Sequence, residues 1–306
     1  MQRWVNGIMA HSNPSIQQSG HLETLLWRFY ENRLRSHQKG KHCHRLRKAE
    51  GPAMTEQEMR DEIRRLAPFR HAVDLPYGLS TYVPELNRRE TERTRLSNLV
   101  KHVWPSLLQI CGGSFHGQRI LDVGCNCGGF SFGAAKSGAE YVLGIDVVDR
   151  YVEQANFIKR ALALQQVEFK KMLIEDLDEA IVGHFDITFC FGILYNLENP
   201  VLAMKKLSSV TRRIMVVDTD VAQTAIGESP IWRMNFRDPD TPESPSISTS
   251  LWRMKRVCQF EPNAHAVNEL LNFIGFSNVM PIEPVVEGLE KRYYRGKRKT
   301  WLARRE

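Results

Sequence analysis

The sequence predicts an α/β protein built on an open, doubly wound sheet, and two observations carry that expectation. The first is the stretch from Arg119 to Asp146, where an apolar run (Ile120–Val123) leads into a glycine-containing turn, a helix-period segment and a second apolar run (Tyr141–Ile145) closed by an acid. Short apolar runs bounded by turns read as strands covered on both faces, the condition of a parallel sheet. The second is the alternation of strand-like and helix-like segments from there to about residue 220, which implies right-handed crossovers between parallel strands.

Residues 1–53 differ from the rest. Rich in His, Ser, Gln and Arg, with one helix-period segment near Leu22–Leu34, they read as a basic, disordered extension. Met54 opens a more typical segment, with Thr55 as N-cap and Glu58 three residues later as its capping-box partner. From Asn87 to Ile110, Leu96, Leu99, Val100, Val103, Trp104 and Leu107 recur at helical spacing, so residues 54–117 are expected to form a helical cap beside the sheet. Strands are expected at 119–123, 141–146, 167–174, 185–192 and 212–219, with helices at 128–138, 149–164 and 198–208. Residues 222–256, rich in Pro, Ser, Asp and Trp, are too long for a passive loop and are expected to form a lid inserted into the 118–306 domain. A helix over 263–274 and extended runs near 277–287 and 298–305 complete the chain.

Composition narrows the class. A chain of 306 residues can bury a large core, and 42% hydrophobic with 25% charged residues is ordinary for a globular protein. No apolar run approaches the roughly 20 residues that span a bilayer, so no membrane association is expected. Trp4–Ala10 is broken by Asn6 and Gly7 and does not read as a secretory signal. Cys43, Cys111, Cys125, Cys127, Cys190 and Cys258 are scattered, and two of them lie where a disulfide would distort the turn, so a reduced, cytoplasmic setting is expected. The cluster His42-Cys43-His44 is not read as a metal site, because adjacent side chains do not converge easily on one ion. The net charge of +7 is uneven: residues 1–53 carry nine Lys/Arg against three acids, residues 291–306 eight against one, and the remainder is acidic by six. RNA is therefore a possible partner through the basic ends, while the acidic middle favours a small-molecule acceptor.

The turn is G-x-x-x-G (Gly124, Gly128) with Asp122 two residues before it, not the G-x-G-x-x-G of dinucleotide enzymes. Asp146 follows Gly128 by 18 residues, close to the about 20 expected of an acid that holds ribose hydroxyls. This pattern resembles motif I of the class I S-adenosylmethionine (SAM)-dependent methyltransferases. FDITFCFGILYNLENP and CQFEPNAHAVNELLNFIGFSNV look like the branch that contains the tRNA wobble-uridine carboxymethyltransferases, over roughly residues 118–280. The resemblance implies a Rossmann-like, mostly parallel seven-stranded sheet with an antiparallel terminal hairpin, and SAM as cofactor. Asn196 stands where that branch has His, and residues 68–104 lack its Lys and Trp contacts, so plain SAM and methyl transfer are expected rather than carboxymethyl transfer.

Cofactor-binding residues are expected at Asp122, Gly124, Asn126, Gly128 and Asp146, and by the resemblance at Ile174, Glu175, Phe191 and Tyr195. The glycines are expected to let the backbone approach the ligand, Asn126 to tolerate a left-handed turn, and Cys125 and Cys127 to be small loop fillers. If a general base exists, Tyr195, Asp218, Asp220 and His265 are the candidates. Trp232 and Trp252 are candidates to stack on an aromatic acceptor or to anchor the lid. The expected function is methyl transfer from SAM to an O, N or C nucleophile of a small molecule. The alternatives are an RNA base modifier and a SAM-binding protein without turnover.

Overall fold

The computed structural model describes residues 54–85, 91–223, 229–237, 257–284, 289 and 291–306. The expectations for residues 1–53, including the helix near Leu22–Leu34, and for Trp252 and most of the 222–256 insertion, lie outside these residues.

Helix α1 (Glu56–Leu66) starts where its capping chemistry places it. Thr55 Oγ1 accepts from the Glu58 N–H at 3.3 Å, and Glu58 Oε2 accepts from the Thr55 N–H at 2.7 Å, so two otherwise orphaned donors are satisfied reciprocally. Met59, Ile63 and Leu66 form its buried stripe. Helix α2 (Thr91–Ile110) buries Val103, Trp104, Leu107 and Leu108, and Trp104 packs edge-on against Phe115 and tilted against Phe189.

The α/β alternation then runs through β1 (Arg119–Val123), α3 (Gly129–Lys136), β2 (Tyr141–Asp146), α4 (Asp149–Leu162), β3 (Val167–Lys171), α5 (Glu179–Val182), β4 (Phe185–Phe191), α6 (Pro200–Val210) and β5 (Thr211–Asp220). After it come β6 (Trp232–Arg237), β7 (Val257–Pro262), α7 (Ala264–Phe273), β8 (Asn278–Ile282), α8 (Lys291–Tyr294) and β9 (Arg298–Arg304). The main sheet has seven strands in the order β3-β2-β1-β4-β5-β9-β8. β1 to β5 are mutually parallel, and β9 runs antiparallel to both β5 and β8, giving the expected terminal hairpin. Strand pleating sends alternate residues to opposite faces. Ile120 and Val142 join a core with α1, α2 and α4, while Leu121 and Leu143 join one with α6 and α7.

Three differences from the sequence reading have physical reasons. β3 ends at Lys171, short of the expected 174: the Met172 N–H donates to the Asp146 carbonyl at 3.0 Å, β2 ends there, and Ile174–Asp176 turns into a 3-10 helix. The described part of the insertion is a strand, β6, paired with β7 in a separate two-stranded sheet from Trp232↔Pro262 to Arg237↔Val257. α5 and α8, four residues each, are too short for periodicity to reveal.

The strand order reverses between β1 and β4. At that point neighbouring connections leave in opposite directions, which opens a crevice at the carboxyl ends of the strands.

Candidate cofactor site

The loop after β1 is a chain of left-handed residues: Gly124 at φ +63°, Asn126 at +53° and Gly128 at +84°. Glycine adopts this region freely and Asn more readily than most residues, which explains the G-x-N-x-G pattern. The Gly128 N–H closes a turn on the Cys125 carbonyl at 2.9 Å. The glycines meet protein rather than open space. A Cβ on Gly128 would lie 2.6 Å from Phe169 Cζ and 2.8 Å from Phe132 Cε2, and one on Gly124 would overlap Ile193 Cδ1. Their missing side chains admit Phe169 of β3, Phe132 of α3 and Ile193 of the turn after β4 against the loop, a packing role beside the expected one. Cys125 and Cys127 are buried fillers, and burial pushes the Cys127 thiol up to about 12, far from a thiolate.

Two carboxylates flank this loop. Asp122, 1% exposed, accepts from Ser131 Oγ at 2.5 Å and from the Ser131 N–H, so it braces the first turn of α3 from beneath the loop. Burial raises it to about 7 against the lowering effect of those Ser131 bonds. Asp146, at the end of β2, accepts from the Asn126 N–H at 2.9 Å through Oδ2 and from the Val148 N–H at 3.0 Å through Oδ1. Burial raises its pKa, and its backbone donors oppose the rise.

The remaining expected residues fall in two groups. Ile174 and Glu175 open the 3-10 turn after β3, with Ile174 buried. Tyr195 is half-buried in the 3-10 turn Leu194–Asn196 after β4. Phe191, the last residue of β4, is buried: its ring packs on Phe130 (centroids 4.5 Å apart) and stacks on Phe189 (5.1 Å) in the core.

Asp218 is also corrected. It is fully buried, and its carboxylate accepts from the Tyr293 hydroxyl at 2.8 Å, the Thr300 hydroxyl at 2.7 Å and the Arg298 guanidinium. A carboxylate saturated by three donors, one of them its ion-pair partner, is a structural anchor, not a base. Asp220 is engaged with Arg292 and Arg298. His265 lies in the first turn of α7, and no hydrogen bond joins its ring to Tyr195 or Asp146 among the described residues.

Sequence reading missed Arg298 and Gln259. Arg298, 3% exposed, pairs with both Asp218 and Asp220 and has its guanidinium carbon 6.0 Å from the Tyr195 ring centroid. Gln259 on β7 donates to Asn196 Oδ1 at 2.9 Å, and Asn196 donates to the Gly192 carbonyl at 3.0 Å, tying the small sheet to the turn after β4. Neither residue carries a local sequence signal, because each acts through a partner more than 60 positions away. Among the described residues no group of three or more His, Cys, Asp and Glu could hold a metal ion, and no helix is long and apolar enough to cross a membrane.

Residues 114–241 match a family model described as a methyltransferase domain. A tRNA U34 carboxymethyltransferase of Syntrophotalea carbinolica is 34% identical over 96 residues, 31% of this chain and 29% of that protein. A ubiquinone biosynthesis O-methyltransferase of Neisseria meningitidis serogroup C is 28% identical over 96 residues, covering 31% and 40%. A tRNA U34 carboxymethyltransferase of Idiomarina loihiensis is 26% identical over 191 residues, covering 61% and 52%. The chain thus spans about half the length, or less, of these curated relatives. The N-terminal domain of EvdMO1 with SAH bound superposes at a TM-score of 0.62 with 16% identity, covering 84% of this chain and 100% of that one, a likeness of fold. Family match and fold agree on the central region: residues 114–241 match a methyltransferase domain, carried on a Rossmann-like sheet of the kind that SAM-dependent methyltransferases use.

Proposed function

We propose that this chain transfers the methyl group of SAM to an O, N or C nucleophile of a small-molecule acceptor. The observation that carries this reading is the conjunction, at the carboxyl ends of β1, β2 and β4, of the left-handed loop, the Asp146 carboxylate and the Tyr195 turn, the last tied to β7 by the Asn196–Gln259 bond. The acidic balance of residues 54–290 favours a small-molecule acceptor over a polyanion.

The donor set suits the cofactor. Asp146 suits vicinal ribose hydroxyls, since charge-assisted hydrogen bonds are about twice as strong as neutral ones. Ile174 and Glu175 stand at the strand end next to Asp146, where an adenine would follow the ribose. Tyr195 would wall the reacting end, and Asp122 holds the loop from below. When bound, SAM supplies an electrophilic methyl group on a positively charged sulfur. The protein's task is then alignment of the acceptor, which can supply about 7–11 kcal/mol. Tyr195 and His265 remain as candidates for a base, with Asp218 withdrawn. Plain SAM fits better than a carboxylated derivative, because Arg298, whose guanidinium lies 6.0 Å from the Tyr195 ring centroid, is already neutralised by two acids. A cytoplasmic setting is part of the proposal, consistent with Cys111, Cys125, Cys127, Cys190 and Cys258 all being free thiols.

A second reading, an RNA base modifier, is favoured by exposed Lys291, Arg295 and Lys297 close to the end of β5, where the Val221 N–H donates to the Lys297 carbonyl at 2.9 Å. Incubating the protein with methyl-labelled SAM and a cell extract, then fractionating the product, separates the readings. Label among small molecules supports the proposal, and label in RNA, with strongly salt-dependent binding, supports the second. SAM binding with no label transferred to any fraction would favour a binding protein without turnover.

A further inference from the structure

Helix α3 begins without a cap of its own. Its N-cap residue is Gly128, which has no side chain to accept from the first N–H groups of the helix. A capping residue there is excluded twice over, by the φ of +84° and by Phe169 and Phe132 standing where a Cβ would go. The missing acceptors therefore come from elsewhere in the fold. Asp122 takes the Ser131 donors, and the Gly129 N–H donates to Nδ1 of His71 at 3.1 Å.

His71 belongs to the segment between α1 and α2, and its main chain is held as firmly as its ring. Its N–H donates to Cys127 Sγ at 3.3 Å, inside the loop itself. Its carbonyl accepts from the buried Thr81 hydroxyl at 2.7 Å, and that hydroxyl accepts in turn from the Val73 N–H at 2.9 Å. The ring stands edge-on to Phe130, with centroids 5.7 Å apart. Thus one residue of the helical cap grips the loop at Cys127 and at Gly129, on both sides of Gly128.

We propose that His71 is a positioning residue for the cofactor: acting as a remote N-cap of α3, it holds the Gly124–Gly129 loop in its binding conformation. Cofactor affinity then depends on the segment between α1 and α2 as well as on the sheet. The inference rests on the reading of this loop as the SAM site. The competing role for His71 is packing against Phe130 alone, and the two differ in which substitutions restore function. Asn places an acceptor oxygen near the position of Nδ1, whereas Phe keeps the ring and loses the acceptor.

The test compares His71→Ala, His71→Phe and His71→Asn with the wild-type chain. SAH (S-adenosylhomocysteine, the demethylated cofactor) is titrated by calorimetry, and amide exchange is measured over residues 125–131 without ligand. Loss of a cap should weaken SAH binding about 3- to 30-fold in the Ala and Phe variants and raise exchange at Gly129, with Asn restoring both. Restoration by Phe but not by Asn would overturn the proposal in favour of packing, and unchanged affinity and exchange in the Ala variant would overturn it outright. If the wild-type chain failed to bind SAH, the reading of the site would fall, and the exchange pattern would still decide whether His71 positions the loop.

Discussion

Asp146 holds the main chain of Asn126: the Asn126 N–H donates to Asp146 Oδ2 at 2.9 Å, across 20 residues of sequence. The same carboxylate accepts from the Val148 N–H at 3.0 Å, so the end of β2, the start of α4 and the glycine loop share one anchor. The acid that is proposed to bind the ribose therefore also shapes the loop around it.

Asp146→Ala should accordingly remove two effects at once. Loss of charge-assisted bonds of about 1.5–3 kcal/mol each, with a loosened loop, predicts at least about 100-fold weaker SAH binding in calorimetry. Asp146→Asn, which keeps one acceptor oxygen, should fall between Ala and wild type. An Ala variant that bound SAH normally would show that the ribose contact lies elsewhere.

Asn126 tests the loop conformation. At φ +53° an Ala would suffer the left-handed penalty of about 1–2 kcal/mol, and it would lose the Asn126 Oδ1 bond to the Cys127 N–H at 2.9 Å. Gly loses only that bond. Thermal denaturation should therefore rank wild type above Asn126→Gly, and Asn126→Gly above Asn126→Ala. A reversed order of the two variants would mean that the residue is not held left-handed in solution.

The fold was legible because it rests on local signals. Ile120 to Val123, Tyr141 to Ile145 and Phe185 to Phe191 are apolar runs closed by glycine or acid, and Thr55–Glu58 is a capping box, so each could be read within a short window. The candidate site was legible only where loop chemistry is sequential, as at Gly124, Asn126, Gly128 and Asp146. The close packing at the glycines was not, because Ile193 reaches them from the turn after β4 and Phe169 from β3. Asp218 looked like a free strand-end acid for the same reason: Arg298, Tyr293 and Thr300 arrive from at least 75 positions away. His71 was missed because nothing near it in sequence marks it as a cap for a helix 58 residues on.

Asp122 predicts a pH dependence of stability. Burial raises its folded pKa to about 7 from the ordinary aspartate value of 3.8, so the folded state binds its proton more tightly than the unfolded state. Its contribution is then fully present below about 4 and is lost as pH rises through about 7, about 4 kcal/mol at the most. In urea denaturation, the stability of wild type relative to Asp122→Asn should fall from pH 4 to pH 7 and level off above. A difference that stayed flat across that window would mean Asp122 is ionised in the fold.

Asp218 separates structure from catalysis. Arg298 is 3% exposed beside it, and breaking a buried ion pair costs about 3–5 kcal/mol where the remaining charge has no other partner; Arg298 keeps Asp220, so the loss should fall at or below the low end of that range. Asp218→Asn should lower the urea midpoint by a corresponding amount. Asp218→Asn combined with Arg298→Met should recover part of the loss, because the double variant no longer holds a buried cation with one of its two acids missing, and Asp220 keeps Arg292. A base would behave otherwise, with turnover falling steeply while stability held. A single variant less than about 1 kcal/mol below wild type would therefore return Asp218 to the list of catalytic candidates.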